Sequence, residues 1–164
     1  MFKSLFRKKH VEQITSPVNG TVIELANVPD PVFSQKMMGE GLAVQPAVGN
    51  VVAPLDGEIV QLSEETKHAF GIRSENGIEV LVHIGLETVA LKGKGFEVLV
   101  KEGQKVEKGQ PMIQVDLTYI KQHASSDLVI LVITNSQDDR FSLEFLDEQT
   151  VLAGQTDLVT VIVK

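Results

Sequence analysis

The sequence predicts an all-β fold: an antiparallel β-sandwich or barrel-like domain with internal duplication and one or two short helices. Short apolar stretches alternate with turn residues along the chain, which is typical of many short strands joined by tight turns. Aromatic residues make up only 5% of the chain and Trp is absent. The core must therefore consist mainly of Val, Ile and Leu, whose β-branched members favour strands. A weak internal repeat is the third observation.

The repeat joins two turn-and-strand segments. Residues 16–22, Ser-Pro-Val-Asn-Gly-Thr-Val, are echoed by residues 53–59, Ala-Pro-Leu-Asp-Gly-Glu-Ile. In each copy Pro fixes φ and Gly permits a positive φ, so a turn leads into a strand. Two copies favour a duplicated β domain over a solenoid, which needs at least three repeats.

The remaining elements follow in chain order. The clearest predicted strands are residues 20–25, 57–62, 78–83 and 158–163. Turn residues separate them, at positions 29–31, 39, 49–50, 75–77 and 103. One stretch is typical of a helix, because Asp116 can cap residues 118–124. No linker divides the 164 residues, so we expect one domain at residues 13–164 after a flexible basic tail at residues 1–12.

Composition excludes several classes of protein. The net charge is -7, and a nucleic-acid reader would normally show a basic face. The absence of Cys excludes disulfides, thiolate metal sites and cysteine nucleophiles. Neither a signal peptide nor an apolar run of about 20 residues is present, so we expect a cytoplasmic protein.

The N-terminal residues 1–9 allow two interpretations. Phe2, Leu5 and Phe6 share one helical face among four cationic residues. Such a segment can make weak contact with an anionic membrane surface. The segment is too short to bind a membrane firmly alone, which favours a solvated tail.

Two of the four histidines lie in informative surroundings. In the strand that ends at His83, the alternation places Ile78, Val80 and Val82 on one face. That apolar face should form core, so His83 projects from the opposite face. Gly85 follows closely, and we expect its bare backbone to be open to an approaching partner.

His68 should lie beside His83. The turn at residues 74–77 stands about midway between the two histidines, so a hairpin would make them cross-strand neighbours. Two adjacent imidazoles can bind a metal, act as acid and base, or form a nucleophile with its helper. A purely structural role for the histidines is also open at this point.

The segments around these histidines have a recognisable pattern. Residues 82–89 read Val-His-Ile-Gly-Leu-Glu-Thr-Val, and residues 66–71 read Thr-Lys-His-Ala-Phe-Gly. Together with residues 28–34 and 36–41, they resemble the glucose-type enzyme IIA of the bacterial phosphoenolpyruvate:sugar phosphotransferase system, in its free-standing form. The resemblance covers residues 13–164.

The resemblance implies a phosphotransferase that carries phosphate on a histidine. It implies that His83 is the phosphorylated residue and that His68 hydrogen-bonds the phosphoryl oxygens. Thr66 then belongs to the network that orients the imidazoles, and Gly85 is a further expected site residue. The donor is expected to be the histidine-containing phosphocarrier protein, and the acceptor a cysteine of an enzyme IIB domain of a sugar permease.

A partner surface around the histidines is also implied. We expect it to include Asp30, Val32, Phe33, Leu81 and Glu87, of which Glu87 departs from the Asp usual in the family. No cofactor is expected to be required, although a partner could complete a zinc site at the two histidines. Phosphorylation is further expected to control binding of regulatory targets, since added charge disfavours burial of an apolar partner surface.

Two other classes of protein fit the sequence less well. A metal-dependent hydrolase would need a third ligand, and no His-Glu-x-x-His spacing occurs. A biotinyl or lipoyl carrier would need an acceptor lysine at a protruding turn, for which residues 36–38, Lys-Met-Met, are the only near match.

Overall fold

The chain folds into antiparallel sheets, with two short helices on them. The computed structural model describes residues 10–164, so the proposed membrane contact of residues 1–9 lies outside the described residues. The strands of the described part are β1 (His10–Thr15), β2 (Gly20–Glu24), β3 (Glu40–Pro46), β4 (Asn50–Val52), β5 (Gly57–Leu62), β6 (Ala69–Arg73), β7 (Glu79–Leu86), β8 (Phe96–Val98), β9 (Lys105–Val106), β10 (Pro111–Val115), β11 (Ser126–Ile133), β12 (Phe141–Phe145), β13 (Thr150–Val151) and β14 (Asp157–Val163). The helices are α1 (Pro31–Ser34) and α2 (Leu117–His123), and 3₁₀ turns occur at Leu25–Asn27 and Val89–Leu91.

The strands form one large and two small sheets. The large sheet has the order β13-β2-β3-β11-β7-β6-β5-β9, and the small sheets are β1-β14-β12 and β4-β10-β8. Every recorded strand pair is antiparallel. The predicted all-β antiparallel class is confirmed.

Aliphatic side chains fill the interior. The largest fully buried side chains of the described residues are Phe70, Ile14, Leu55, Ile59, Ile72, Ile78, Ile84, Met112, Ile113, Ile120, Ile130 and Leu131. Most are Ile, which suits the pleated surface of a sheet. Removing this apolar area from water is the main favourable contribution to folding.

The sequence repeat corresponds to a structural repeat. Strands β2 and β5 begin at the glycines of the two copies, Gly20 and Gly57. Between Pro and Gly, Val18 and Leu55 occupy matching positions, and both are 0% exposed. Each copy thus drives the same turn, with its apolar residue inserted into the core.

Backbone hydrogen bonds join the two copies reciprocally. The N–H of Thr15 donates to the carbonyl of Pro54 at 2.9 Å, and the N–H of Val52 donates to the carbonyl of Pro17 at 2.7 Å. Thr15 and Val52 each lie two residues before the Pro of their own copy. The predicted duplication is therefore visible as an approximate two-fold relation between the turns.

Two glycines meet where these copies join. The N–H of Gly109 donates to the carbonyl of Ala53, and the N–H of Gly154 donates to the carbonyl of Ser16, both at 2.8 Å. A Cβ on Gly154 would lie 2.7 Å from the Cα of Gly109. Only a residue without a side chain fits this contact.

The structure differs from the sequence-based boundaries at two places. Strand β1 begins at His10, three residues before the expected domain start at Gln13, because its backbone pairs with β14 up to Val163. The segment Pro29–Pro31, interpreted as a turn, starts α1: Asp30 caps the helix and Pro31 occupies its first turn. The predicted helix after Asp116 is confirmed.

No helix within residues 10–164 combines the length and the apolar character needed to cross a membrane.

Candidate functional site

His83 lies in the middle of the large sheet, on strand β7 between β6 and β11. Its neighbours Val82 and Ile84 are 0% exposed and belong to the main core. The face that carries His83 is covered by a second apolar cluster, to which Phe33 of α1 contributes. The predicted alternation along this strand is confirmed.

The hairpin β6–β7 brings the two histidines together. Ala69 pairs with His83, and the N–H of Ile84 donates to the carbonyl of His68 at 2.7 Å. The imidazole rings lie edge to face, with centroids 4.7 Å apart and an interplanar angle of 85°. The predicted proximity of His68 and His83 is therefore confirmed.

Thr66 holds the ring of His68. Its Oγ1 lies 2.7 Å from Nδ1 of His68, and His68 is only 8% exposed. Between them, Lys67 has a φ of 58°, a left-handed turn that brings Thr66 back towards the ring. With Nδ1 engaged, Nε2 is the nitrogen of His68 that can contact a group bound between the histidines.

Helix α1 packs an aromatic ring against His83. The centroids of Phe33 and His83 lie 5.0 Å apart, with the planes tilted by 55°. The helix is fixed at its start, because the N–H of Val32 donates to Oδ1 of Asp30 at 2.9 Å. The imidazole of His83 is therefore enclosed by Phe33 on one side and by His68 on another.

This enclosure favours uncharged imidazoles. Burial lowers the pKa of His83 to about 4, with a further lowering by neighbouring His68 and opposing contributions from the Gly85 backbone and Asp30. Burial also lowers the pKa of His68. Because desolvation penalises the charged form, both rings are neutral near pH 7.

Only one nitrogen of His83 can reach a partner. Nδ1 is buried and has no hydrogen-bond partner within residues 10–164, although the residue as a whole is partly exposed. Nε2 is therefore the nucleophilic atom available from outside. A neutral imidazole with a reachable nitrogen can attack an electrophilic phosphorus or ligate a metal.

Gly85 is less accessible than predicted. It is buried, with a φ of +76°, so the expectation that its backbone is open to a partner is wrong. A Cβ there would lie 2.5 Å from Cγ2 of Thr88 and 2.8 Å from the carbonyl oxygen of Ser126. The glycine is required by internal crowding at a sharp bend.

The five expected surface residues fall into two groups. Val32 is 40% exposed, Asp30 is partly exposed and Glu87 is exposed, so all three are accessible to a partner. Phe33 and Leu81 are 5% and 6% exposed. These two side chains are buried, so they offer a partner little exposed area.

One residue near the histidines was not predicted as a site residue. Thr88 is 0% exposed, and its hydroxyl donates to the carbonyl of Ile84 at 2.7 Å. The signal was the spacing of four residues, at which a Thr hydroxyl can return to an earlier backbone carbonyl.

Metal ligation has few candidates. Across residues 10–164, no group of three or more His, Asp or Glu side chains is arranged to hold a metal ion. The two histidines would supply only two ligands of a zinc site, which normally has four.

Comparison with known proteins gives a consistent result. Residues 12–139 match the family model described as phosphoenolpyruvate-dependent sugar phosphotransferase system, EIIA 1. The chain is 47% identical to a PTS system glucose-specific EIIA component of Staphylococcus epidermidis, over 99% of each chain. It is 46% identical to a protein of the same name from Bacillus anthracis, over the full length of both.

A longer relative and a solved structure are also similar. A PTS system glucose-specific EIICBA component of Staphylococcus carnosus is 52% identical over 74% of this chain, which is 18% of that protein. The glucose permease IIA from Mycoplasma capricolum superposes with a TM-score of 0.85 at 36% identity, covering 94% of this chain and 97% of that one. The chain therefore belongs to the EIIA 1 family of the phosphoenolpyruvate-dependent sugar phosphotransferase system.

Proposed function

We propose that this chain carries phosphate on Nε2 of His83, between a phosphocarrier protein and an enzyme IIB domain. The observation that carries the proposal is one neutral, partly exposed imidazole with its other nitrogen buried, next to a second imidazole 4.7 Å away. The relatives named glucose-specific indicate a glucose permease as the system served.

The transfer needs no cofactor. The lone pair of His83 Nε2 attacks the phosphorus of the donor's phosphohistidine, the new N–P bond forms, and the old N–P bond breaks with its electron pair returning to the donor imidazole. In the second half, the thiolate of the IIB cysteine attacks the same phosphorus. A P–S bond forms and the electron pair of the N–P bond returns to Nε2.

His68 and Thr66 assist through one tautomer. When the Thr66 hydroxyl donates to Nδ1 of His68, the proton of that ring is on Nε2. An N–H there can donate to an oxygen of the phosphoryl group on His83. Donors placed in advance towards developing charge are worth more in a site that excludes water.

The exposed carboxylates suit cationic partners. Asp30 caps the helix that carries the exposed apolar side chain of Val32, and Glu87, four residues after His83, is a further exposed carboxylate. Opposite charges on a partner would steer it to this face and fix its orientation. The EIICBA relative, in which the matching segment is part of a longer chain, supports a partner from the same transport system.

Phosphorylation of purified variants tests the proposal. The chain is incubated with phosphoenolpyruvate, enzyme I and the phosphocarrier protein, and acid-labile, base-stable phosphate is counted. We expect His83→Gln to lose the label completely, because the remaining imidazole, His68, has its Nδ1 engaged by Thr66 and carries its proton on Nε2. His123→Gln is the matched control, since His123 is exposed on α2 and should leave the label unchanged.

The variant His68→Gln distinguishes the assisting role of His68 from the nucleophilic role of His83. This variant should still accept phosphate but pass it to an enzyme IIB domain more slowly, on the order of a hundredfold if one preorganised donor is lost. Full labelling of His83→Gln would refute the proposal for His83. An unchanged onward rate in His68→Gln would refute the role of His68.

Other expectations stay predictions. Zinc completed by a partner at His68 and His83 fits the two available imidazoles but needs ligands from elsewhere. Regulatory binding governed by phosphorylation would use the same face of the sheet, since added negative charge at His83 would oppose burial of an apolar partner surface.

A further inference from the structure

Thr88 is a buried polar residue that the proposed transfer steps do not use. Its side chain is 0% exposed, and its hydroxyl donates to the carbonyl of Ile84 at 2.7 Å. Buried hydroxyls are nearly always hydrogen-bonded, so the bond alone is ordinary. The informative fact is the acceptor, which belongs to the residue directly after His83.

The backbone of Ile84 is held at both of its polar groups. Its N–H donates to the carbonyl of His68 at 2.7 Å, which ties it to the second histidine. The recorded β6–β7 pairing ends at Ala69 and His83, so the regular ladder stops just before Ile84. The Thr88 hydroxyl supplies a donor for the Ile84 carbonyl at the point where pairing with β6 ends, while pairing with β11 continues.

The methyl group of Thr88 leaves no room for a side chain at Gly85. Cγ2 of Thr88 lies 2.5 Å from the position that a Cβ on Gly85 would take. Gly85 bends the chain with a φ of +76°, and its backbone raises the pKa of the His83 imidazole. One side chain therefore contacts both residues that follow His83.

We propose that Thr88 is a positioning residue for phosphoryl transfer: its hydroxyl fixes the Ile84–Gly85 peptide so that His83 presents Nε2 outward beside His68. This inference rests on the proposed function of His83. Thr88 itself touches neither the phosphoryl group nor a partner. It acts through the backbone that carries the nucleophile.

Two substitutions separate the hydroxyl from the methyl group. Thr88→Val keeps the shape and removes the donor, whereas Thr88→Ser keeps the donor and removes the methyl. We expect phosphoryl transfer to His83 to fall by about ten- to a hundredfold in Thr88→Val, the range expected when a reacting group is displaced by up to 1 Å. Thr88→Ser should stay close to wild type.

A matched control exists elsewhere in the fold. Thr15 is 2% exposed, and its hydroxyl donates to the carbonyl of Pro54 at 2.9 Å. Thr15→Val makes the same chemical change at the junction of the two repeats. It should destabilise the fold while keeping the transfer rate of the folded fraction.

The direct measurement is the ¹⁵N spectrum of the histidine ring nitrogens as a function of pH. We expect the titration and tautomer signals of His83 to change in Thr88→Val and to remain as in wild type in Thr15→Val. Unchanged signals with a wild-type transfer rate in Thr88→Val would overturn the proposal. An equal loss of rate in Thr15→Val would do so too, since it would indicate general destabilisation.

Three further outcomes have defined consequences. If Thr88→Val does not fold, Thr88→Ala and Thr88→Ser are compared, and equal rates in these two would refute the role of the hydroxyl. If wild-type protein carries its label elsewhere than on His83, the proposed function fails. If the label is on His83 and only the Thr88 variants behave as wild type, this inference alone fails.

Discussion

His83 combines two environments within one side chain. Nδ1 is buried, whereas the residue as a whole is partly exposed. Strand alternation alone places the side chain on the face opposite Val80 and Val82. Only the packing of Phe33 and His68 around the ring explains why its charged form is disfavoured.

The low pKa of His83 predicts how stability depends on pH. Its pKa is lowered from 6.5 to about 4 in the folded state, chiefly by burial. Between these values the unfolded chain binds more protons, so stability falls as the pH drops through this window. His68, whose pKa burial also lowers, acts in the same direction.

Urea unfolding at several pH values measures this effect. Wild type should lose stability from about pH 6.5 towards pH 4, and His83→Gln should show a smaller loss because one titrating group is gone. Equal pH profiles for both proteins would contradict the assigned pKa of His83. Phosphate acceptance by wild type should likewise persist below pH 6.5, where an unperturbed histidine would be mostly protonated.

At the scale of elements, the site joins a hairpin to a helix that is distant in sequence. The turn at residues 74–77 made the β6–β7 hairpin predictable, because local turn chemistry and strand alternation agree there. Helix α1 was not predictable from periodicity, since four residues show too little of a helical pattern. Its contact with His83 depends on tertiary packing across about fifty residues of sequence.

The same contrast applies to Thr88 and Gly85. The Gly suggested an accessible backbone, but burial and the methyl group of Thr88 explain its presence. A pattern of residue types can indicate a special φ without showing whether the cause is a partner or a neighbouring side chain. The family resemblance named His68, His83 and Thr66, and the structure brings all three together.

Asp30 has two separable effects on this assembly. Its carboxylate caps α1 through the N–H of Val32, and its charge is the smallest of the influences on the pKa of His83, after burial, His68 and the Gly85 backbone. Asp30→Asn should retain the cap, whereas Asp30→Ala should lose it and about 1 kcal/mol of stability. Both should lower the pKa of His83 further, because the negative charge that raises it is removed.

NMR titration of His83 and urea unfolding check the two effects independently. Equal stabilities of Asp30→Asn and Asp30→Ala would show that the cap does not support α1. A pKa of His83 that rises in either variant would contradict the electrostatic assignment.

At the scale of the molecule, two similar halves meet through backbone contacts. Thr15 and Val52 donate across the junction to prolines of the other copy. Because Gly109 and Gly154 lack side chains, their backbones come close together. Each N–H then donates to a carbonyl of one repeat copy. The sequence repeat predicted the duplication, but it could not predict the glycine contact, because both glycines lie outside the repeated segments.

Gly154→Ala should destabilise the whole domain. The new Cβ would lie 2.7 Å from the Cα of Gly109, and the φ of +70° is already unfavourable for Ala. Left-handed strain costs about 1–2 kcal/mol, and overpacking adds about 1–3 kcal/mol. Gly103→Ala is the control, since its φ is +89° but no atom lies within 4 Å of the added Cβ.

Urea denaturation of the two variants separates the cost of backbone strain from the cost of the steric clash with Gly109. The free energy of unfolding of Gly103→Ala should fall only by the cost of backbone strain, and that of Gly154→Ala should fall clearly more. The slope of the unfolding free energy against urea concentration should be unchanged in both. Equal losses would show that the glycine contact between the halves tolerates a side chain.

Strand β11 lies between β3 and β7 in the large sheet, although it is made of residues 126–133. During synthesis a chain that already contains both histidines still lacks this strand, so β7 has an unpaired edge. A domain generally folds as a unit, so the site forms only after its later strands have been synthesised. We therefore expect nascent chains to accept phosphate only once residues 126–133 have emerged, and the edge of β7 to be open to chaperones until then.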